Sequence, residues 1–305
     1  MDKIPFYLVT GFLGSGKTTF LKNLLNEYCD SKKIAVIQNE FAPAKVDGKE
    51  LNQLDKNFEI LEINKGSVFC VCLLGGFIES LNQFVDGHKP DIVILEASGL
   101  SDPIAIAEIF QQEELSKKIF LKYIWCVVDL QNFSRINKNI ERVVNQIRVA
   151  DKIILNKMDL NNGNVDHVVS SVKEINPIAE IQLAKYCKCD FSKEFENHEI
   201  PVRTQLKKGD VSGGKPDISS GVIRTSAKVS KEGLDNFLRE VSPIMIRLKG
   251  HVKYEDDSCA SVQACFGEFE IIPMKFFSGP GEMVFMGDCV NIKEINNRFK
   301  ELALR

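Results

Sequence analysis

Three short stretches carry residue types whose spacing can do chemistry. "GFLGSGKT", from Gly11 to Thr18, fits the pattern G-x-x-x-x-G-K-S/T without deviation. Glycines let the backbone curl so that successive N–H groups point at phosphate oxygens. A helix that follows adds the positive end of its dipole. Lys17 can reach the β- and γ-phosphates, and Thr18 can place a hydroxyl on Mg²⁺. Gly11, Gly14, Ser15, Gly16, Lys17, Thr18 and Thr19 are therefore the expected phosphate-side residues.

The second stretch, "ILNKMDL", holds Asn156, Lys157 and Asp159 as N-K-x-D at the end of an apolar run. A carboxylate there accepts from the N1–H and 2-amino group of guanine, where adenine has no matching donor pair. The asparagine orients the loop. The third stretch, "DIVILEASG", ends an apolar run on Glu96. An acid at that point helps hold Mg²⁺ or orient the attacking water. The backbone N–H of Gly99 would sense the γ-phosphate. Lys17, Glu96 and Gly99 are the expected catalytic groups. Ser226-Ala227-Lys228 resembles a last guanine-contacting loop, but its place after a polar linker weighs against that reading.

Cysteines pose a separate question. "KGSVFCVCLLGGF" holds Cys70 and Cys72 one residue apart in an apolar run. From spacing alone such thiols read as small core-filling side chains more often than as metal ligands. Cys187 and Cys189 form a second pair, read as structural or incidental. Cys259, Cys265 and Cys289 receive no role.

The elements that must position these groups follow from hydrophobic patterning. "IPFYLVT" (4–10), "KIAVIQNE" (33–40), "DIVILEASG" (91–99), "KYIWCVVDL" (122–130) and "DKIILNKMD" (151–159) read as strands with helical patterns between them. Alternating strands and helices predict an α/β fold, with a mainly parallel sheet and helices on both faces. "LKKGDVSGGKPDIS" is polar and glycine-rich, a linker signature. The expected division is a P-loop GTPase domain over 1–206, a linker over 207–219 and a small α+β domain over 220–305.

Composition bounds the rest. The chain has 305 residues, 44% of them hydrophobic and 27% charged, ordinary for a protein with a real core. A net charge of −3 gives no sign of a nucleic-acid surface. No apolar run approaches the ~20 residues that cross a bilayer. The N-terminus shows no signal-peptide pattern. Nine scattered cysteines argue for reduced thiols, hence a cytoplasmic location.

Taken in order, "VTGFLGSGKTTFL", "NEFAPAKVDG", "GSVFCVC", "ILEASGLSDP", "VVDLQNF", "QIRVADKIILNKMD" and "IRLKGHVKY" resemble the CobW-type metal-handling GTPases and their nickel-insertion relatives. The resemblance runs almost the whole length. It implies a GTP-hydrolysing metallochaperone or insertase whose C-terminal domain helps choose a client protein. GTP or GDP with Mg²⁺ would be the nucleotide, and Zn²⁺ or Co²⁺ the cargo. The family motif is Cys-x-Cys-Cys; here Leu73 stands in the third position. A family glutamate near the metal corresponds to Glu40, and Asp47 to an acid of a switch region. Cys70, Cys72 and Glu40 would form an incomplete shell suited to a metal that is handed on. The histidine-rich segment of many members is missing, since the linker has no histidine.

On this reading, residues 39–47 and 96–102 move with the γ-phosphate. Turnover is slow, and a client or homodimerisation completes the site. The rival reading is a nucleotide-gated chaperone for a corrinoid or other cofactor-dependent enzyme, with no metal cargo of its own. A kinase using the phosphate loop is the weaker third.

Overall fold

The computed structural model describes residues 3–39, 58–63, 71–99, 101, 103, 110, 113–136, 141–160, 165–196, 218–265, 268–288 and 291–302. The chain divides into two compact units, Met1–Ile175 with Ala179–Asn197, and Asn176–Ile178 with His198–Arg305.

The first unit runs β1 (Ile4–Thr10), α1 (Lys17–Tyr28), β2 (Ile34–Asn39), β3 (Phe58–Ile63), α2 (Val71–His88) and β4 (Ile92–Glu96). It continues with α3 (Glu113–Lys118), β5 (Ile119–Asp129), α4 (Phe133–Ile136), α5 (Glu141–Val149), β6 (Lys152–Asn156), α6 (Val165–Ile175), β7 (Glu180–Leu183) and α7 (Ser192–Glu196). Its seven strands form one sheet in the order β3-β2-β4-β1-β5-β6-β7. Every pairing in it is parallel.

β1, β4 and β6 are buried along both alternating sets of side chains, as strands covered on two faces must be. One face packs Tyr7, Val9, Trp125 and Val127 against Phe20, Leu21, Leu24 and Leu25 of α1. The Tyr7 and Trp125 rings stack at 5.1 Å. On the other face of β1, Phe6 meets Phe110 edge to face at 5.2 Å. Each fully buried side chain of this kind stabilises the fold by about 1.5–3 kcal/mol. Four of them anchor α1, so the loop at its N-terminus is tethered to a rigid element.

Two strands differ from expectation. β3 and β7 do not stand out in the sequence because they are the sheet edges. "FEILEI" carries two glutamates, and "EIQL" is short and half exposed. Edge strands need less apolar surface and tolerate charge.

The second unit comprises β8 (Ile218–Thr225), α8 (Lys231–Val241), β9 (Met245–Lys253), β10 (Cys259–Cys265), β11 (Glu268–Met274), β12 (Gly281–Asp288) and α9 (Ile292–Leu302). Its sheet, ordered β11-β10-β9-β12-β8, is antiparallel throughout. Leu234, Phe237 and Leu238 of α8, with Ile295 and Phe299 of α9, close its core over Leu248, Val262, Met283 and Phe285. β8 starts at Ile218, two residues inside the stretch expected as linker, because Ile218 and Ser219 pair with Asp288 and Gly287.

Candidate functional site

The site is assembled at the C-terminal ends of β1, β4, β6 and β7. After β1 the chain enters the phosphate loop, where Gly11, Gly14 and Gly16 all take positive φ. Gly16 has φ 108°, and a Cβ on it would stand 2.6 Å from Asn156 Nδ2. The first turn of α1 has no side-chain cap and no acidic residue. Its orphan N–H groups and dipole are thus left for an anion.

Lys17 is buried and donates from Nζ to the carbonyls of Gly11 (2.9 Å) and Phe12 (3.2 Å), folded back over its own loop. Ser15 Oγ is buried with no hydrogen-bond partner among the described residues. Thr19 is exposed on α1. Thr18 Oγ1 donates to Glu96 Oε1 at 2.8 Å, so the expected metal-side pair is in contact. The second oxygen of Glu96 accepts from Gln38 Nε2 at 3.0 Å. Gln38 Oε1 is buried without a partner among the described residues. Thr18 and Glu96 are hard oxygen donors of the kind Mg²⁺ prefers. Together with a positive-φ loop and an orphaned serine, they fit a magnesium–nucleotide pair.

Gly99 lies against the phosphate loop: a Cβ there would be 2.5 Å from the Leu13 nitrogen. Its carbonyl and that of Ser101 accept from Gln146 Nε2 of α5, at 3.3 and 3.0 Å.

On the base side, Asn156 is buried and bridges two loops. Its Nδ2 donates to Ser15 O at 2.9 Å, and its Oδ1 accepts from Cys187 N at 2.8 Å. Lys157 takes φ 64° and pairs through Nζ with Asp129 Oδ2 at 2.8 Å. Burial works against the Asp129 charge, but hydrogen bonds from Lys157 and Asn132 outweigh it and hold the carboxyl below its usual range. Asp159 is exposed on the turn Met158–Leu160.

The sequence reading missed the loop after β7. Ala184 is zipped to the base-side strand through Ala184 N to Leu155 O (2.9 Å) and Met158 N to Ala184 O (3.2 Å). Lys185 and Tyr186 follow, and their N–H groups carry no hydrogen bond among the described residues. The available signal was the pair Ala184-Lys185, one strand beyond N-K-x-D. The similar Ser226-Ala227-Lys228 drew attention instead. It follows β8 in the second unit, where Lys228 pairs with Asp257 at 2.7 Å.

Glu40, Asp47 and Cys70 lie outside the described residues, as does the side chain of Cys72, which falls in the first turn of α2. Cys187 is buried, and its thiol donates to Gly16 O at 3.3 Å. Burial pushes the Cys187 and Cys189 thiols up to about 12, so both stay protonated. Among the described residues, no group of three or more His, Cys, Asp or Glu side chains is placed to hold a metal ion.

A phosphate loop opening onto α1, with N-K-x-D at the tip of a strand in the same parallel sheet, defines the class as P-loop GTPases. Residues 5–182 match the CobW/HypB/UreG nucleotide-binding domain, and the chain belongs to that family of metallochaperone GTPases. It is 28% identical over 264 residues to the zinc chaperone YjiA of Escherichia coli, covering 82% of each chain. It is 28% identical over 250 residues to zinc-regulated GTPase metalloprotein activator 1 of Saccharomyces cerevisiae, covering 72% of this chain but 58% of that protein. The crystal structure of Zn(II)-bound YjiA GTPase from E. coli superposes with a TM-score of 0.61 at 23% identity, over 99% of both chains, and shares the fold.

Proposed function

We propose that the chain couples GTP binding and hydrolysis to the state of a transition-metal site built on Cys70, Cys72 and Glu40, and passes the metal to a client protein. Zn²⁺ is favoured over Co²⁺ because the relatives above are zinc proteins by name. One observation carries the coupling. Glu96 is shared between Thr18 at the phosphate loop and Gln38 at the end of β2, two residues before Glu40. A change at the Mg²⁺-side acid therefore acts on the chain that leads into the metal segment.

In this reading the phosphate-loop amides and Lys17 take the phosphate charge, Lys17 leaving the Gly11 and Phe12 carbonyls to do so. Thr18 and Glu96 would hold Mg²⁺, which when bound neutralises charge on the β- and γ-oxygens. Gly99 N–H contacts the γ-phosphate, with Gln146 restraining its segment. Asp159 accepts from the guanine N1–H and 2-amino group. Lys157 braces that loop through Asp129. The open N–H groups of Lys185 and Tyr186 suit an acceptor at purine C6. Asp47 serves as a switch acid. The domain over 220–305 selects the client, and a client or a second copy of the chain completes the hydrolytic site. Reduced thiols fit a cytoplasmic setting; no described helix is long and apolar enough to cross a membrane.

Calorimetric titration of GTP, GDP and ATP, with and without Zn²⁺ or Co²⁺, tests the proposal. Metal must change nucleotide affinity by the same factor that nucleotide changes metal affinity. In Cys70→Ser/Cys72→Ser the metal effect should vanish while GTP binding persists. Unchanged metal stoichiometry in that variant would sink the metal-carrier reading. Absence of any metal binding in the native chain would leave a nucleotide-gated chaperone of a corrinoid or other cofactor-dependent enzyme.

A further inference from the structure

The loop after β7 has an unusual backbone. Tyr186 (φ 51°) and Cys187 (φ 52°) are consecutive non-glycine residues in the left-handed region. Such residues hold that conformation only where their surroundings over-determine it. Here the surroundings come from the phosphate side of the site. Asn23, on the second turn of α1, donates from Nδ2 to both carbonyls, Tyr186 O and Cys187 O, at 2.9 Å each. The Cys187 thiol donates to the carbonyl of Gly16, the N-cap residue just before α1, at 3.3 Å. Cys187 N–H donates to Asn156 Oδ1, and Asn156 Nδ2 donates in turn to Ser15 O. A ring of hydrogen bonds thus runs from the phosphate loop through Asn156 and Cys187 to Asn23 and back down α1.

We infer that Asn23 and Cys187 are positioning residues for base selection: they clamp the 184–187 loop to the phosphate helix, so that the loop's open Lys185 and Tyr186 N–H groups are fixed at the base edge. Neither residue touches the nucleotide. Without Asn23 the two left-handed residues lose their common restraint and the N–H groups lose their direction. Without the Cys187 thiol the loop loses its bond to Gly16. The phosphate cradle keeps its own glycines, Lys17 and helix end in both cases. Discrimination between bases should therefore fall while affinity for phosphate alone is kept. The inference rests on the guanine reading given above.

The test uses the full chain and competition against a fluorescent GDP analogue. Competitors are GTP, ATP and inorganic tripolyphosphate, which has no base. Variants are Asn23→Ala, Cys187→Ala and Cys187→Ser, the last keeping a donor to Gly16 O. Loss of one or two hydrogen bonds predicts a drop of about tenfold in the GTP-to-ATP affinity ratio for Asn23→Ala. A smaller drop is expected for Cys187→Ala, with recovery in Cys187→Ser. Tripolyphosphate affinity should stay within about twofold of the native value, since it reports the phosphate site that the substitutions leave intact. An unchanged GTP-to-ATP ratio in Asn23→Ala and Cys187→Ala overturns the inference. So does an equal loss for all three ligands, which marks a general structural role. A native chain with no preference for GTP over ATP sinks the guanine reading itself. Should Asn23→Ala fail to fold, Asn23→Ser and the cysteine pair carry the same comparison.

Discussion

Gln38 Nε2 lies 3.0 Å from Glu96 Oε2, while Thr18 bonds the other carboxylate oxygen, and Gln38 Oε1 is buried with no partner among the described residues. An orphaned buried acceptor costs about 1–3 kcal/mol, so its retention beside the metal-side acid points to use in the loaded state. Replacing Gln38 by Met keeps the volume and removes both amide functions. Glu96 then loses one of its two restraints. The expected result is a rise of about tenfold in the Mg²⁺ concentration that half-saturates GDP binding, for a lost bond to a charged group. Affinity for GDP in EDTA should hold. Unaltered Mg²⁺ dependence would leave Gln38 a packing residue.

Gly16 sits where three segments meet: the phosphate loop, the loop of Asn156 and the loop of Cys187. In Gly16→Ala the new methyl would lie 2.6 Å from Asn156 Nδ2 and 3.1 Å from Cys187 Sγ, at a φ of 108°. Either the loop shifts or Asn156 swings out, and both outcomes disturb the phosphate and base sides together. Loss of GTP binding by about a hundredfold or more is expected, with about 2 kcal/mol of stability lost to strain and displaced packing. Calorimetry and chemical denaturation measure the two effects. Binding within threefold of native would contradict the geometry.

How far the sequence could reach is clear from these two cases. The phosphate loop and N-K-x-D are local patterns, where adjacent residues supply both the backbone shape and the donors. Gln38 and Glu96 are 58 positions apart, and Asn156 and Ser15 are 141 apart. Only the strand order β2-β4-β1-β5-β6 brings these partners to one end of the sheet. The loop after β7 was hidden for a related reason. Its strand is a short polar edge, so Ala184-Lys185 passed unnoticed while Ser226-Ala227-Lys228, after a strand of the other sheet, drew attention. Central strands were legible because burial on both faces imposes a continuous apolar run.

Asp129 links the base loop to pH. Its carboxyl sits below its ordinary value of 3.8 despite burial, because Lys157 and Asn132 donate to the charged form. A depressed folded value contributes stability at neutral pH that is lost as pH falls from about 4 through the folded value. Asp129→Asn should therefore lower stability at pH 7 by about 1 kcal/mol, and flatten the decline on acidification below pH 4. It should also release Lys157 and weaken GTP binding. Thermal unfolding of both proteins between pH 3 and 7 decides it. Parallel acid curves would show that Asp129 does not carry this part of the pH dependence.

Beneath the site, Lys152 and Glu194 form an ion pair at 2.9 Å with almost no exposure on either side chain. Lys152 also donates to Asp190 O at 3.0 Å, and Glu194 Oε2 has no partner among the described residues. Two desolvated charges in such a place cost nearly as much as their attraction returns, but one left alone is far worse. Lys152→Met should destabilise the first unit by about 3–5 kcal/mol, because the buried Glu194 charge loses its cation. Glu194→Gln should cost less, since Lys152 keeps Glu180 at 3.7 Å, and the Asp190 carbonyl and the amide oxygen still accept from Nζ. Lys152→Met/Glu194→Gln removes both charges and should regain most of the loss. Urea unfolding of the four proteins closes the cycle. If the double variant is as unstable as the sum of the singles, the pair acts as two independent packing residues, and the buried charge is not what specifies how α7 docks on the sheet.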